Sequence, residues 1–162
     1  MTGRTACEGE RRIAPRAQGD TPALLDLWVA AWRQTYDDID FDARREWFAA
    51  RLEELEAAGA CTLCLSDRGA LAGFVVIHPL TGWLDQLCVH PDHFGAGVAP
   101  ALIAAARQAS PSGVRLDVNE DNSRAVRFYE REGFVKIGVG PFSRSGRKTI
   151  VLEWEPGAKR SA

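Results

Sequence analysis

Apolar residues recur along the chain with two different periods, and the switches between them divide it into elements. Residues 12–16 read as a short strand, followed by Asp20-Thr21-Pro22, a capping residue and then proline at the first helical position. Leu24, Leu25, Trp28 and Trp32 repeat at helical spacing, so this helix is expected to run to about Tyr36. The acidic segment Asp37-Asp38-Ile39-Asp40-Phe41-Asp42 breaks it. A second helix is expected to place Trp47, Phe48, Leu52 and Leu55 on one face and to end before Gly59. Residues 61–66, the turn Asp67-Arg68-Gly69 and residues 71–78 carry a hairpin signal, and Pro79-Leu80-Thr81-Gly82 turns the chain into a strand over 83–89. A glycine-bearing loop then opens a helix over about 98–109, which Ser110-Pro111-Ser112-Gly113 ends before a strand over 114–118. Asn122 or Ser123 caps a helix to Glu132, Gly133 stops it, and strands over 134–139 and 149–154 close the pattern.

The chain has 162 residues, which suits one domain, expected over residues 12–156 with flexible ends at 1–11 and 157–162. With 46% hydrophobic and 26% charged residues it has the composition of a globular protein. A formal charge of −2 offers no field for a polyanion, so neither nucleic acid nor an anionic membrane is expected as a partner. The charge is uneven, however: the first 60 residues carry 12 acidic against 8 basic, and Asp37, Asp38, Asp40 and Asp42 supply that excess. No apolar leader is visible, and no run approaches the ~18 residues of a membrane span, so a cytoplasmic protein is expected. Cysteines at 7, 61, 64 and 88 do not form a zinc pattern with His78, His90 and His93. They read as free thiols, and no metal is expected.

The segment richest in chemistry is Val89-His90-Pro91-Asp92-His93-Phe94-Gly95-Ala96-Gly97-Val98-Ala99. Glycines between a strand and a helix let backbone N–H groups approach an anion, and the helix N-terminus adds partial positive charge. An ordinary strand-to-helix turn would look the same. A dinucleotide-binding turn fits poorly, because Pro100 stands where a third glycine belongs, although Asp117 lies 20 residues beyond Gly97. A P-loop fails as well, since Arg147 separates Gly146 from Lys148-Thr149.

A second segment changes the reading: Asn122, six intervening residues, Tyr129, then Gly133-Phe134. With Leu87-Cys88-Val89-His90-Pro91-Asp92 and Gly95-Ala96-Gly97-Val98-Ala99 before it, the chain resembles the GNAT superfamily of acyl-CoA-dependent N-acetyltransferases over residues 83–134. The resemblance implies an α/β (α+β) fold: a mixed, twisted sheet of about seven strands flanked by about four helices, with the strands over 83–89 and 114–118 parallel and splayed. It also implies acetyl-CoA in the gap. Backbone groups of Leu87, Cys88 and Val89 would bond the pantetheine arm, residues Gly95, Ala96, Gly97, Val98, Ala99 and Pro100 would wrap the pyrophosphate, and Asn122 would hold the cofactor near its sulfur while capping its helix. Two positions depart from the family: Phe94 stands where Arg or Gln is usual, and Pro100 has no N–H. Weaker binding of CoA is expected, with Arg124 or Arg127 available to compensate.

The family reaction implies direct attack of a neutral amine on the thioester in a ternary complex. Tyr129 matches the general acid that meets the departing sulfur, leaving Phe128 to the core. Asp117 or Asp85, on the two splayed strands, is the candidate base, with a water chain as the other possibility. The first helices and the loop between them form a wall of the acceptor site in this family. Trp28, Trp32, Tyr36, Asp37 and Asp38 would then meet a cationic amine by charge and by cation–π contact, against the plainer reading of a solvated loop beside core tryptophans. The acceptor is expected to be a primary amine of a small molecule or peptide, and the resemblance leaves room for a homodimer. A CoA-binding sensor without turnover is the alternative, motivated by Phe94 and Pro100.

Overall fold

The computed structural model describes residues 11–157. The expected flexible ends fall outside them, apart from Arg11 and Gly157, as does Cys7. Seven strands and four helices are present among the described residues: β1 (Arg12–Pro15), α1 (Thr21–Thr35), α2 (Arg45–Ala57), β2 (Cys61–Asp67), β3 (Ala70–Ile77), β4 (Leu84–Val89), α3 (Val98–Ala109), β5 (Val114–Asn119), α4 (Ser123–Arg131), β6 (Val135–Val139) and β7 (Thr149–Trp154). They form two antiparallel sheets, one in the order β1-β2-β3-β4 and the other β5-β7-β6. This is the mixed α/β arrangement expected, with the sheet divided between β4 and β5.

β3 is apolar almost throughout because both of its faces are covered. Ala72, Val75 and Ile77 pack with Val98, Leu102, Ile103 and Ala106 of α3. Phe74 and Val76 point the other way, to Leu24, Leu27 and Trp28 of α1 and Phe48 and Leu52 of α2. Trp28 stacks on Phe48 at 4.4 Å and meets Phe41 edge-on at 5.6 Å, pairs worth ~0.5–1.5 kcal/mol each beyond their burial. Phe41 thus pins the acidic segment from within, at 4% exposure.

Two local expectations are corrected. Trp47 does not share the core face of α2: one residue before Phe48, it is turned by about 100° and is 37% exposed. Asp20 does not cap α1 with its side chain; its carboxylate accepts from Ala17 N–H at 2.8 Å, inside the single turn that precedes the helix.

Gly73 lets α3 sit close to the sheet. A Cβ there would lie 2.8 Å from the Cys88 carbonyl oxygen and 2.9 Å from both Leu102 Cδ1 and Val98 Cγ1. Gly73→Ala is expected to destabilise the fold by about 1–3 kcal/mol, the usual cost of overpacking, and a urea titration reads it as a lower midpoint at unchanged slope.

Candidate active site

Among the described residues, a single backbone bridge joins the start of β4 to β5. Trp83 bridges Arg115 in parallel, and Arg115 N–H donates to the Gly82 carbonyl at 2.8 Å. Beyond that bridge the strands part, since β4 pairs with β3 and β5 with β7. The outward edge of Leu87, Cys88 and Val89 is therefore left without a strand partner, as the family resemblance implied.

Clefts open on both sides of this parting, each about 440 Å³. The first is lined by Leu87, Cys88, Val89, Gly95, Gly97, Val98, Ala99, Pro100, Asn122 and Tyr129, so the expected cofactor residues come together there, Ala96 excepted. Ala96 instead turns its carbonyl to the Arg11 guanidinium. Gly97 caps α3 in the left-handed region, φ 81°, as does Gly95 at φ 76°. These turns leave the N–H groups of Gly95, Gly97, Val98 and Ala99 without hydrogen-bond partners among the described residues, while Pro100 supplies none. Such a cradle suits phosphate oxygens. Phe94 lines the same cleft and carries the Arg124 guanidinium over its ring, Cζ 3.9 Å from the centroid. The aromatic residue that cannot itself donate thus positions one that can. Asn122 Oδ1 caps α4 by accepting from Ala125 N–H at 3.3 Å.

The second cleft is lined by Trp28, Trp32, Tyr36, Asp85, Asp117 and Tyr129 among others, whereas Asp37 and Asp38 do not reach it. Asp38 lies 3.4 Å from Arg147, which also donates to Asp121 at 2.6 Å. Tyr36 donates to the other oxygen of Asp121 at 2.6 Å. Burial, together with that bond, pushes the Tyr36 phenol up to about 12, and the bonds from Tyr36 and Arg147 hold the Asp121 carboxyl below the usual range. Tyr36 is therefore a strut between α1 and the β5–α4 turn.

Asp85 is held by Arg51 at 2.9 Å. Asp117 makes no ion pair among the described residues; partial loss of water between the cleft walls, and then the charge of Asp85, raise its pKa above the ordinary carboxylate value. Tyr129 corrects an expectation about its neighbour: Tyr129 is the more buried of the two at 7% exposure, and Phe128 is only partly covered and lines the first cleft. Burial, and secondarily the nearby Cys88, push the Tyr129 phenol far up, so it stays protonated. The Cys88 thiol is raised by burial as well, which makes it a poor nucleophile.

Tyr129, Leu87, Trp32 and Asn122 line both clefts, so one wall serves the two. The other wall of the second cleft was not expected. Phe142, Ser143, Arg144 and Ser145 of the β6–β7 loop reach it, together with Arg44, Trp47 and Arg51. Sequence reasoning treated that loop only as a failed P-loop; its run of Ser and Arg was the sole visible signal.

A model of the Acetyltransferase (GNAT) family matches residues 21–134. The peptidyl-lysine N-acetyltransferase YjaB of Salmonella typhimurium is 32% identical over 129 residues, covering 76% of this chain and 86% of that protein. The acetyltransferase Atu2258 of Agrobacterium fabrum is 40% identical over 95 residues, 54% of this chain and 67% of that one. Among solved structures, the PaiA N-acetyltransferase of Thermoplasma acidophilum in complex with coenzyme A superposes with a TM-score of 0.72 at 16% identity, covering 90% of this chain and 99% of that one. No helix among the described residues is long and apolar enough to cross a membrane.

Proposed function

Because the chain belongs to the GNAT acetyltransferase family, and is thereby an acyltransferase, we propose that it transfers the acetyl group of acetyl-CoA to a primary amine of a small molecule or peptide by direct attack in a ternary complex. The observation that carries this reading is the shared wall: Tyr129 lines both clefts at the parting of β4 and β5, so a donor in one and an acceptor in the other would meet beside a single phenol.

The chain's own groups fit the parts of the donor. The open N–H groups of Gly95, Gly97, Val98 and Ala99 suit a pyrophosphate, with Arg124 adding charge, and the open edge of β4 suits an amide-bearing pantetheine arm and the thioester carbonyl. In the second cleft Asp117 is the base we assign, since Asp85 is paired with Arg51 and Asp117 makes no ion pair among the described residues. The acceptor ammonium gives one proton to Asp117; the freed nitrogen bonds to the carbonyl carbon, the C–S bond breaks with its electron pair left on sulfur, and the second proton passes from nitrogen to that sulfur through the Tyr129 hydroxyl, which gives its own proton and takes the other back. The relatives named as peptidyl-lysine acetyltransferases favour a lysine ε-amine among primary amines.

A thiol-release assay with acetyl-CoA and a panel of amines tests the proposal. Acetyl-CoA binding with no thiol released for any amine would overturn it in favour of a CoA-binding module without turnover. In the same assay Arg124→Ala is expected to raise the KM for acetyl-CoA about tenfold or more, the worth of a charge-assisted hydrogen bond.

A further inference from the structure

The second cleft is more basic than its acidic approach suggested. Asp85 and Asp117 are its only carboxylates among the described residues, while Arg44, Arg51 and Arg144 line it too. Arg51 is matched by Asp85. Arg44 and Arg144 have no carboxylate within ion-pair distance among the described residues. Arg144 lies over Trp47, Cζ 4.3 Å from the ring, and Arg44 lies over Phe41 at 5.6 Å with one N–H donating to Ser145 Oγ at 3.2 Å. Arg147 likewise covers Tyr36 at 3.9 Å, but it is neutralised by Asp121 and Asp38. The protein's own guanidinium groups therefore cover three rings around the cleft, among them Tyr36, which was expected to receive a cationic substrate.

A guanidinium stacked on a ring is held in place with its N–H edge open, which is the geometry that takes a carboxylate. Immobilising it beforehand lowers the entropy lost when the anion arrives. We propose that the acceptor carries a carboxylate besides its amine: Asp117 receives the amine, and Arg44 and Arg144 receive the carboxylate. This rests on the acetyl-transfer reading and names the substrate class of the same site. The carboxylate could belong to an acidic residue beside a peptide lysine or to a small amino acid, and the test separates these sources.

The experiment compares kcat/KM for lysine peptides flanked by Glu or by Gln, and for Nα-blocked lysine as carboxylate or as carboxamide. A preference for the anionic member of about tenfold to a hundredfold is expected in at least one pair, and the pair that shows it identifies the source. Arg144→Gln and Arg44→Gln should each shrink that ratio, and Arg144→Glu should invert it toward a Lys-flanked peptide. Arg144 is exposed, so its variants are expected to fold, which a thermal melt checks. A ratio near one in the wild type, a preference for cationic flanks, or a ratio untouched by both Gln variants would overturn the proposal. Calorimetric titration of the same amines into CoA-saturated protein keeps the two readings apart. Anion-selective binding without turnover would sink the acetyl-transfer reading alone. Turnover with indifferent binding would sink this one.

Discussion

Tyr129→Phe is expected to lower kcat by about 10²- to 10⁴-fold, the usual contribution of a positioned proton donor, with a far smaller change in the KM for acetyl-CoA. Two features make this substitution a clean one. The Tyr129 hydroxyl has no hydrogen-bond partner among the described residues, so its removal breaks no internal bond. Its ring packs against Phe134 at 5.4 Å and Phe128 at 5.2 Å, contacts that Phe retains. The melting temperature should therefore stay close to that of the wild type while turnover collapses. A phenol raised so far by burial stays protonated, and so able to donate to the departing sulfur, at any ordinary pH, and the basic limb of kcat should show no ionisation of its own. Turnover within threefold of the wild type would remove Tyr129 from the chemistry.

The second large effect is expected at Asp117. Asp117→Asn should cost about 10²- to 10⁴-fold in kcat/KM and abolish the acid limb of the pH profile. The direction follows from its environment. With its pKa raised by lost water and by Asp85, the carboxyl becomes a competent base only above that raised value, so wild-type activity falls as the pH drops through it. Stability moves the opposite way. A carboxyl whose pKa is higher folded than unfolded favours the fold when protonated. That contribution is complete below the ordinary Asp value of ~3.9 and is lost as the pH rises through the folded value. Asp117→Asn is consequently expected to be more stable than the wild type at neutral pH, with a higher urea midpoint. An acid limb that survives in Asp117→Asn but disappears in Asp85→Asn would transfer the base role to Asp85.

The elements were legible because local rules and burial agree. α3 has the bounds its pattern predicts, Val98–Ala109, and β7 spans Thr149–Trp154 as expected. The residues that the family resemblance singled out meet in the first cleft because most of that cleft comes from a contiguous stretch of chain: β4, the loop after it, the start of α3 and one face of α4, with Ala31, Trp32 and Thr35 of α1 added from afar. The second cleft is different. Arg44 meets Ser145 across 101 residues and Arg147 meets Asp38 across 109, contacts that no local period announces. Composition pointed to the acidic run at residues 37–42 and could not register that Arg147, from a distant loop, neutralises part of it. The same limit explains Trp47 and Phe128, each followed in sequence by a buried aromatic residue while it faces a cleft or solvent itself.

The open edge of β4 also bears on what lies along it. In the free protein, water serves the backbone groups there at little cost, because they border a cleft and not a packed core. A thioester that displaced this water without amides at matching heights would strand those groups, at about 1–3 kcal/mol for each. The gap therefore selects by penalty as much as by attraction. A plain alkyl thioester of the same acyl group should be rejected even though it is smaller and more apolar, and the discrimination would come from main-chain atoms that side-chain substitution leaves in place.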